Sequence, residues 1–185
     1  MATRNTTRRV VLQMGISMDG FVSHPHTESE HPAVVAWKLA SLGQVDTHIM
    51  GRTTYQEMAA YWPTATGEYA APMNNMPKVV FSSTLDKADW ADSRIASGDL
   101  AQEIADLKLR PGKDIMAHGG ASFAQALSAQ GLVDEYRLMI YPIALGVGAP
   151  LFAPPATPLR LTLADATTCS DGTAIHVYRP VAAAR

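Results

Sequence analysis

A strand that runs into two glycines and straight on into a helix constrains this chain more than any other feature. The stretch from Asp114 to Phe152 reads DIMAHGGASFAQALSAQGLVDEYRLMIYPIALGVGAPLF. Asp114 to Ala117 is a short apolar run that enters Gly119-Gly120. Ser122 to Gln130 then places Phe123 and Leu127 four apart, on one face of a helix. Gly131 closes that helix, where a residue tolerant of positive φ is needed. Tyr136 to Ile140 is apolar and β-rich, so it reads as the next strand. Glycines at such a junction let a ligand approach the backbone. The helix start adds free N–H groups and the positive end of its dipole, which suits a phosphate. A tight turn without a ligand is the alternative that a bare glycine pair leaves open.

A second junction of the same kind lies earlier. Thr47 to Met50 is a short strand entering Gly51-Arg52-Thr53-Thr54-Tyr55. Thr53 or Thr54 is expected to cap a helix that continues to about Tyr61. An arginine fork beside hydroxyls and free N–H groups makes a phosphate cradle; a surface arginine is the plainer reading. A third strand, Lys78 to Phe81, ends in Ser82-Ser83-Thr84, hydroxyls that either meet a ligand or cap the next turn of the chain.

The remaining elements complete an α/β pattern. Arg8 to Ile16 is apolar and β-branched, and reads as a central strand ending in Ser17-Met18-Asp19-Gly20. Asp19 stands where site residues collect in such sheets, or else simply shapes the turn. Ala33 to Leu42 reads as a helix with Val34, Trp37 and Leu42 inward. Trp62-Pro63 ends the helix begun at Thr53, and Pro63 to Pro77 reads as loop. Trp90 to Ile95 is a short strand candidate. Asp99 to Leu109 is a helix, with Asp99 and Gln102 as a capping box. Leu159 to Thr168 and Ala174 to Tyr178 form a hairpin about Asp171-Gly172. The sheet is expected to be mostly parallel with an antiparallel edge, in a single domain spanning 1–185 with flexible ends at 1–7 and 181–185.

Composition excludes some functions. A net charge of −2 over 185 residues gives no footprint for nucleic acid. No apolar run reaches the ~18 residues of a membrane span. One cysteine, Cys169, leaves no internal disulfide and fits a reducing cytoplasm. The N-terminus reads as a frayed end, not a signal peptide. The loop His24 to His31 holds three histidines and two glutamates, but their spacing matches no common zinc pattern. No metal is expected.

Gly51-Arg52-Thr53-Thr54-Tyr55, Ser82-Ser83-Thr84 and Gly119-Gly120-Ala121-Ser122, in that order, resemble the dihydrofolate reductase fold. The run from Gly131-Leu132-Val133-Asp134-Glu135 through Tyr141-Pro142 to Leu145-Gly146-Val147-Gly148-Ala149-Pro150-Leu151-Phe152 is more specific. With Ser17-Met18-Asp19-Gly20, it resembles the C-terminal reductase domain of the bifunctional riboflavin-biosynthesis deaminase/reductase, closest to its stand-alone bacterial members. The likeness covers about Arg8 to Tyr178, without that enzyme's zinc-binding deaminase half.

The resemblance implies a three-layer α/β/α sandwich with NADPH across the strand C-termini. Gly51, Arg52, Thr53 and Thr54 would meet the pyrophosphate and the adenosine 2′-phosphate. Ser82, Ser83 and Thr84 would lie on the adenosine side. Gly119, Gly120, Ala121, Ser122 and Phe123 would cradle the pyrophosphate. It further implies a reductase like 5-amino-6-(5-phosphoribosylamino)uracil reductase and a homodimer built on Glu135 to Ile140 and Leu145 to Phe152. Two features depart from the pattern. Ala33 to Leu42 carries no acid to hold a pterin ring, and no basic cluster for a ribose phosphate is evident. Asp19 is then the acid left to orient a small-molecule substrate or relay a proton, and Tyr141 lines the site or packs. The rival function is an NADP(H)-binding sensor or partner module without turnover.

Overall fold

The first strand, β1 (Val10–Ser17), is buried at every position but Gln13. A strand apolar on both faces belongs inside a sheet covered on both sides. In the computed structural model, which describes residues 8–22, 30–153 and 158–181, β1 does lie inside. It pairs in parallel with β5 (Asp114–His118) on one side and β6 (Glu135–Tyr141) on the other. Outward beyond β5 come β2 (Val45–Gly51), β3 (Lys78–Phe81) and β4 (Ser93–Ala96), all parallel. Beyond β6 lie β8 (Ala174–Pro180) and then β7 (Leu161–Thr168), each antiparallel to its neighbour. The order of the eight strands is β4-β3-β2-β5-β1-β6-β8-β7. This is the mostly parallel α/β sheet with an antiparallel C-terminal pair that the sequence suggested.

Helices cover both faces. Helices α1 (Pro32–Leu42), α2 (Arg52–Tyr61) and α3 (Ala70–Asn75) lie on one side, where Leu42, Tyr55 and Met73 pack on Met50, Val80 and Met116. Helices α4 (Leu100–Leu109) and α5 (Ala121–Ala129) lie on the other, where Ile104, Leu107 and Leu127 meet Val10, Leu12, Ile49 and Ile115. In β5, Met116 serves the first side and Ile115 and Ala117 the second, as the two-residue period of a strand requires. Each fully buried Leu or Ile contributes roughly 1.5–3 kcal/mol.

Charges gather at the opposite end of the sheet from the glycine junctions. Glu135 accepts from Arg9, Arg137 and Arg179, and Arg9 also pairs with Asp114. These ties join the starts of β1, β5 and β6 and leave the strand C-termini for other uses.

Several local expectations need correction. Helix α2 starts at Gly51 with no side-chain cap, so neither Thr53 nor Thr54 closes it. The segment Pro63 to Pro77 is not all loop. It holds a single 3-10 turn, Trp62–Thr64, and helix α3. Both are fixed by distant partners: Asn74 donates to the Trp62 carbonyl and accepts from Trp90 Nε1. Trp90 is therefore a buried plug rather than the start of a strand, and β4 begins only at Ser93. The capping box at α4 is half formed. Asp99 accepts from the Gln102 N–H, while the Gln102 side chain donates to Asp106. Residues 1–7, most of the histidine loop and the tail 182–185 lie outside the described residues. Val181 donates its N–H to the Arg160 carbonyl. No helix among the described residues is long and apolar enough to cross a membrane.

Candidate functional site

The four longer helices differ in how they begin. Helix α1 is capped by His31 Nδ1 and α4 by the Asp99 carboxylate. Helices α2 and α5 begin at Gly51 and Gly120 with no side-chain cap and no acid in the first turn. Their first N–H groups therefore keep both their donors and the helix dipole uncompensated. The two starts adjoin. A Cβ on Gly51 would lie 3.3 Å from Phe123 Cβ, and one on Gly120 would lie 3.2 Å from Thr54 Oγ1. Neither Gly119 nor Gly120 has positive φ. Space, not backbone conformation, is why they are glycines. At Gly119 that space belongs to Met14, whose Sδ would lie 2.3 Å from an added Cβ.

Beside this double helix start lies an open cleft of about 380 Å³. Arg52, Ser82, Ser83, Thr84 and Phe123 all line it, so the structure gathers three separate sequence motifs in one place. Arg52 Nη1 donates to Thr84 Oγ1 at 2.9 Å. Ser82 Oγ accepts from the N–H groups of Thr84 and Leu85, so this hydroxyl shapes the turn. Ser97 and Gly98, beyond β4, also line the cleft and were missed in the sequence. Their signal was a strand running into Ser-Gly ahead of a capped helix.

A second chamber, of about 280 Å³, opens on the α1 side of the sheet. Its apolar wall is made by Met14, Met58, Trp62, Met73 and Met139, and its polar groups come from Gln13, Lys38, Tyr69, His118 and Tyr141. Gly119 lines it too, so the chamber reaches the glycine junction. Tyr141 donates to Glu30 Oε1 at 3.4 Å, and Lys38 pairs with the same carboxylate. Burial and the charge of Glu30 push the Tyr141 phenol above its ordinary value. The same causes push Tyr69 up to about 12. Both phenols keep their protons at neutral pH. Helix α1 has no acid, as its sequence indicated, but Glu30, just ahead of the cap, brings a carboxylate to this rim. Gln13 Oε1 is buried with no hydrogen-bond partner among the described residues.

Asp19 is placed elsewhere. It lines neither cavity. Its carboxylate accepts the N–H groups of Leu145 and Gly146 at 3.1 and 2.7 Å. With Ser17 as the largest cause, these bonds hold its pKa down to about 2, so it is ionised across the neutral range. It anchors the glycine loop, which also pairs Phe21 with Pro150. His31, Cys169 and Asp171 bring potential metal ligands within 4.8 Å of one another. His31 Nδ1 is spent on α1, however, and both Asp171 oxygens accept from Thr173.

The sequence matches the family described as RibD C-terminal domain over residues 8–175. It is 31% identical to the uncharacterized protein YyaP of Bacillus subtilis, covering 92% of this chain and 94% of that one. A crystal structure of a putative riboflavin biosynthesis protein from Shewanella sp. PV-4 superposes with a TM-score of 0.73 at 22% identity, covering 94% of this chain and 99% of that one. Dihydrofolate reductase from Enterococcus faecalis, solved with NADP(H), superposes with a TM-score of 0.61 at 12% identity, covering 93% and 96%.

Proposed function

The chain belongs to the RibD C-terminal domain family, and on that premise we propose that it is an NADPH-dependent reductase of a small heterocyclic or carbonyl-type substrate. The heterocycle would be pteridine- or aminopyrimidine-like. The observation that carries this reading is the pair of uncapped helix starts, α2 and α5, adjoining at Gly51 and Gly120. Two sets of free N–H groups beside one open cleft suit a doubly charged pyrophosphate. Added methyl groups at those glycines would crowd the Phe123 and Thr54 side chains where the two helix starts meet.

When bound, NADPH supplies the hydride. The protein supplies position. Arg52 and Thr84 would hold the 2′-phosphate, and the first turns of α2 and α5 the pyrophosphate. The methionine-lined chamber would take the flat substrate, with Gly119 as the thin wall between the two ligands. Tyr141 keeps its proton and would donate a hydrogen bond to the substrate, with Glu30 and Lys38 fixing its direction. Lys38 is the chamber's cation among the described residues, and it is engaged by Glu30. That favours a substrate without a phosphate group. Asp19 would act at a distance, by holding the loop 145–148 against the end of β1. We further infer a cytoplasmic homodimer.

The test is NADPH oxidation against a panel of pteridines, aminopyrimidines and quinones, followed by the loss of the reduced cofactor's absorbance. Reduction of at least one acceptor is expected. Tight NADPH binding with no acceptor reduced would leave a non-catalytic NADP(H)-binding module.

A further inference from the structure

Two histidines are accounted for by neither the cofactor cleft nor Tyr141: His118 lines the chamber, and His48 is fully buried beside it. His48 lies on β2 and His118 ends β5, and the two strands are paired. His118 Nε2 lies 2.8 Å from His48 Nδ1, and His48 Nε2 lies 3.2 Å from the Pro72 carbonyl oxygen. A carbonyl only accepts, so His48 Nε2 carries the proton and His48 Nδ1 is a lone pair. His118 Nε2–H must then donate to that lone pair. In neutral His118, Nδ1 is left without a proton. It has no partner among the described residues, and His118 lines the chamber next to Gly119.

Neutrality follows from the surroundings. Burial drives both imidazoles well below their ordinary value, His48 to about 4; the charge of Lys78 adds to the shift at His48, and His48 adds to the shift at His118. The neighbour of His118 on β1 is Gln13, its register partner. Both side chains line the same chamber, and Gln13 Oε1 is buried without a donor. Two acceptors thus sit side by side on adjacent strands.

We propose that His118 Nδ1 and Gln13 Oε1 together accept hydrogen bonds from an N–H edge of the substrate, and that His48 is the positioning residue that locks His118 in the required tautomer. The substrate class is then a flat ring bearing adjacent N–H donors, such as an amino group beside a ring N–H. A ring whose edge offers only carbonyls would leave the His118 Nδ1 lone pair unpaired even if the Gln13 amide turned its NH2 group toward the ligand, and would be disfavoured, because a buried acceptor left unpaired is costly. This rests on reading the chamber as the reductase's substrate pocket.

The test uses the full chain labelled with 15N-histidine, at pH 7. Long-range 1H–15N correlation spectra report which ring nitrogen carries the proton. Both histidines are expected as neutral Nε2–H tautomers. Adding 2,4-diaminopyrimidine is expected to shift the His118 Nδ1 resonance, while 2,4-bis(dimethylamino)pyrimidine, which has lost every amino N–H, shifts it much less. His118→Gln keeps a donor for His48 but no acceptor at Nδ1, and is expected to weaken diaminopyrimidine binding about tenfold. His118→Asn keeps that acceptor and should restore much of the loss. In His48→Phe, His118 is expected as a mixture of tautomers. An Nδ1–H tautomer or an imidazolium at His118 in the parent protein, or equal shifts with both pyrimidines, would overturn the proposal. The spectra need no turnover: a silent acceptor panel undoes the reductase reading alone, and a wrong tautomer undoes this proposal alone.

Discussion

Gly120 and Thr54 head two different helices, yet a methyl group on Gly120 would come to 3.2 Å from the Thr54 hydroxyl oxygen. That contact is tight but yielding, because a threonine hydroxyl can turn away. Gly120→Ala is therefore expected to fold with α5 intact. The methyl would still stand where the two helix starts adjoin. NADPH affinity is expected to fall at least about tenfold, or ~1.4 kcal/mol. Far-UV circular dichroism and a fluorescence titration on one sample check this. A folded variant that binds NADPH like the parent would remove the junction from the site.

Gly119→Ala has the opposite outcome. Its Cβ would overlap Met14 Sδ at 2.3 Å, inside the core. Met14 can swing its thioether toward the chamber, so the substitution is expected to cost only about 1 kcal/mol of stability, the low end of overpacking. Urea denaturation measures it. A much larger loss would show that Met14 has no room to move.

Arg52 is exposed and reaches Thr84 on the far wall of the cleft. A guanidinium fork distinguishes a phosphate dianion from a hydroxyl. NADPH is expected to bind more tightly than NADH, and Arg52→Ala to lose roughly 1.5–3 kcal/mol for NADPH. NADH affinity should change little. Equal calorimetric affinities for the two cofactors in the parent would exclude this role for Arg52.

Acid should destabilise the fold through His48. Burial lowers its pKa from 6.5 to about 4, with the Pro72 carbonyl opposing and Lys78 adding to the shift. Between those values the unfolded chain binds the proton and the folded chain does not. Stability therefore falls as pH drops through that window, by roughly 2 kcal/mol at pH 5 from this group. His118 is displaced in the same direction. Denaturant midpoints at pH 7 and pH 5 test this. His48→Gln should show a smaller drop, and an unchanged drop would assign the effect to other groups.

The dimer expectation moves on the surface. Leu138, Met139 and Leu151 fill the protein's own core, while Met18, Ile143, Leu145 and Val147 stay exposed around the glycine loop. Edge strand β7 exposes nearly its whole length. Light scattering at micromolar concentration is expected to give a dimer mass, and Val147→Asp with Leu163→Asp to reduce it. A monomer mass for the parent would end the expectation.

The parts of this protein that sequence made legible are those written within a few residues. Gly51-Arg52, Ser82-Ser83 and Gly119-Gly120 each announce a strand end, and the sheet brings all three to one edge. The chamber is of another kind. His48 and His118 are seventy positions apart and meet only through the β2–β5 pairing. Glu30 reaches Lys38 and Tyr141 from outside helix α1, the segment in which an acid would have been expected. Helix α3 has no periodic signal of its own, and persists because Met73 is buried and Asn74 bridges Trp62 and Trp90. A residue's neighbours in space decide these features, and no local pattern records them.

The chamber's wall holds four thioethers, those of Met14, Met58, Met73 and Met139. An unbranched side chain with three rotatable bonds reshapes at small cost, and sulfur is polarizable enough to sit against any aromatic face. Such a lining grips a ring without measuring its outline. Discrimination between one flat compound and another is thereby handed to the few polar atoms at the floor and rim. Changing a single one of those atoms would alter which ring the chamber accepts more than rebuilding the apolar wall.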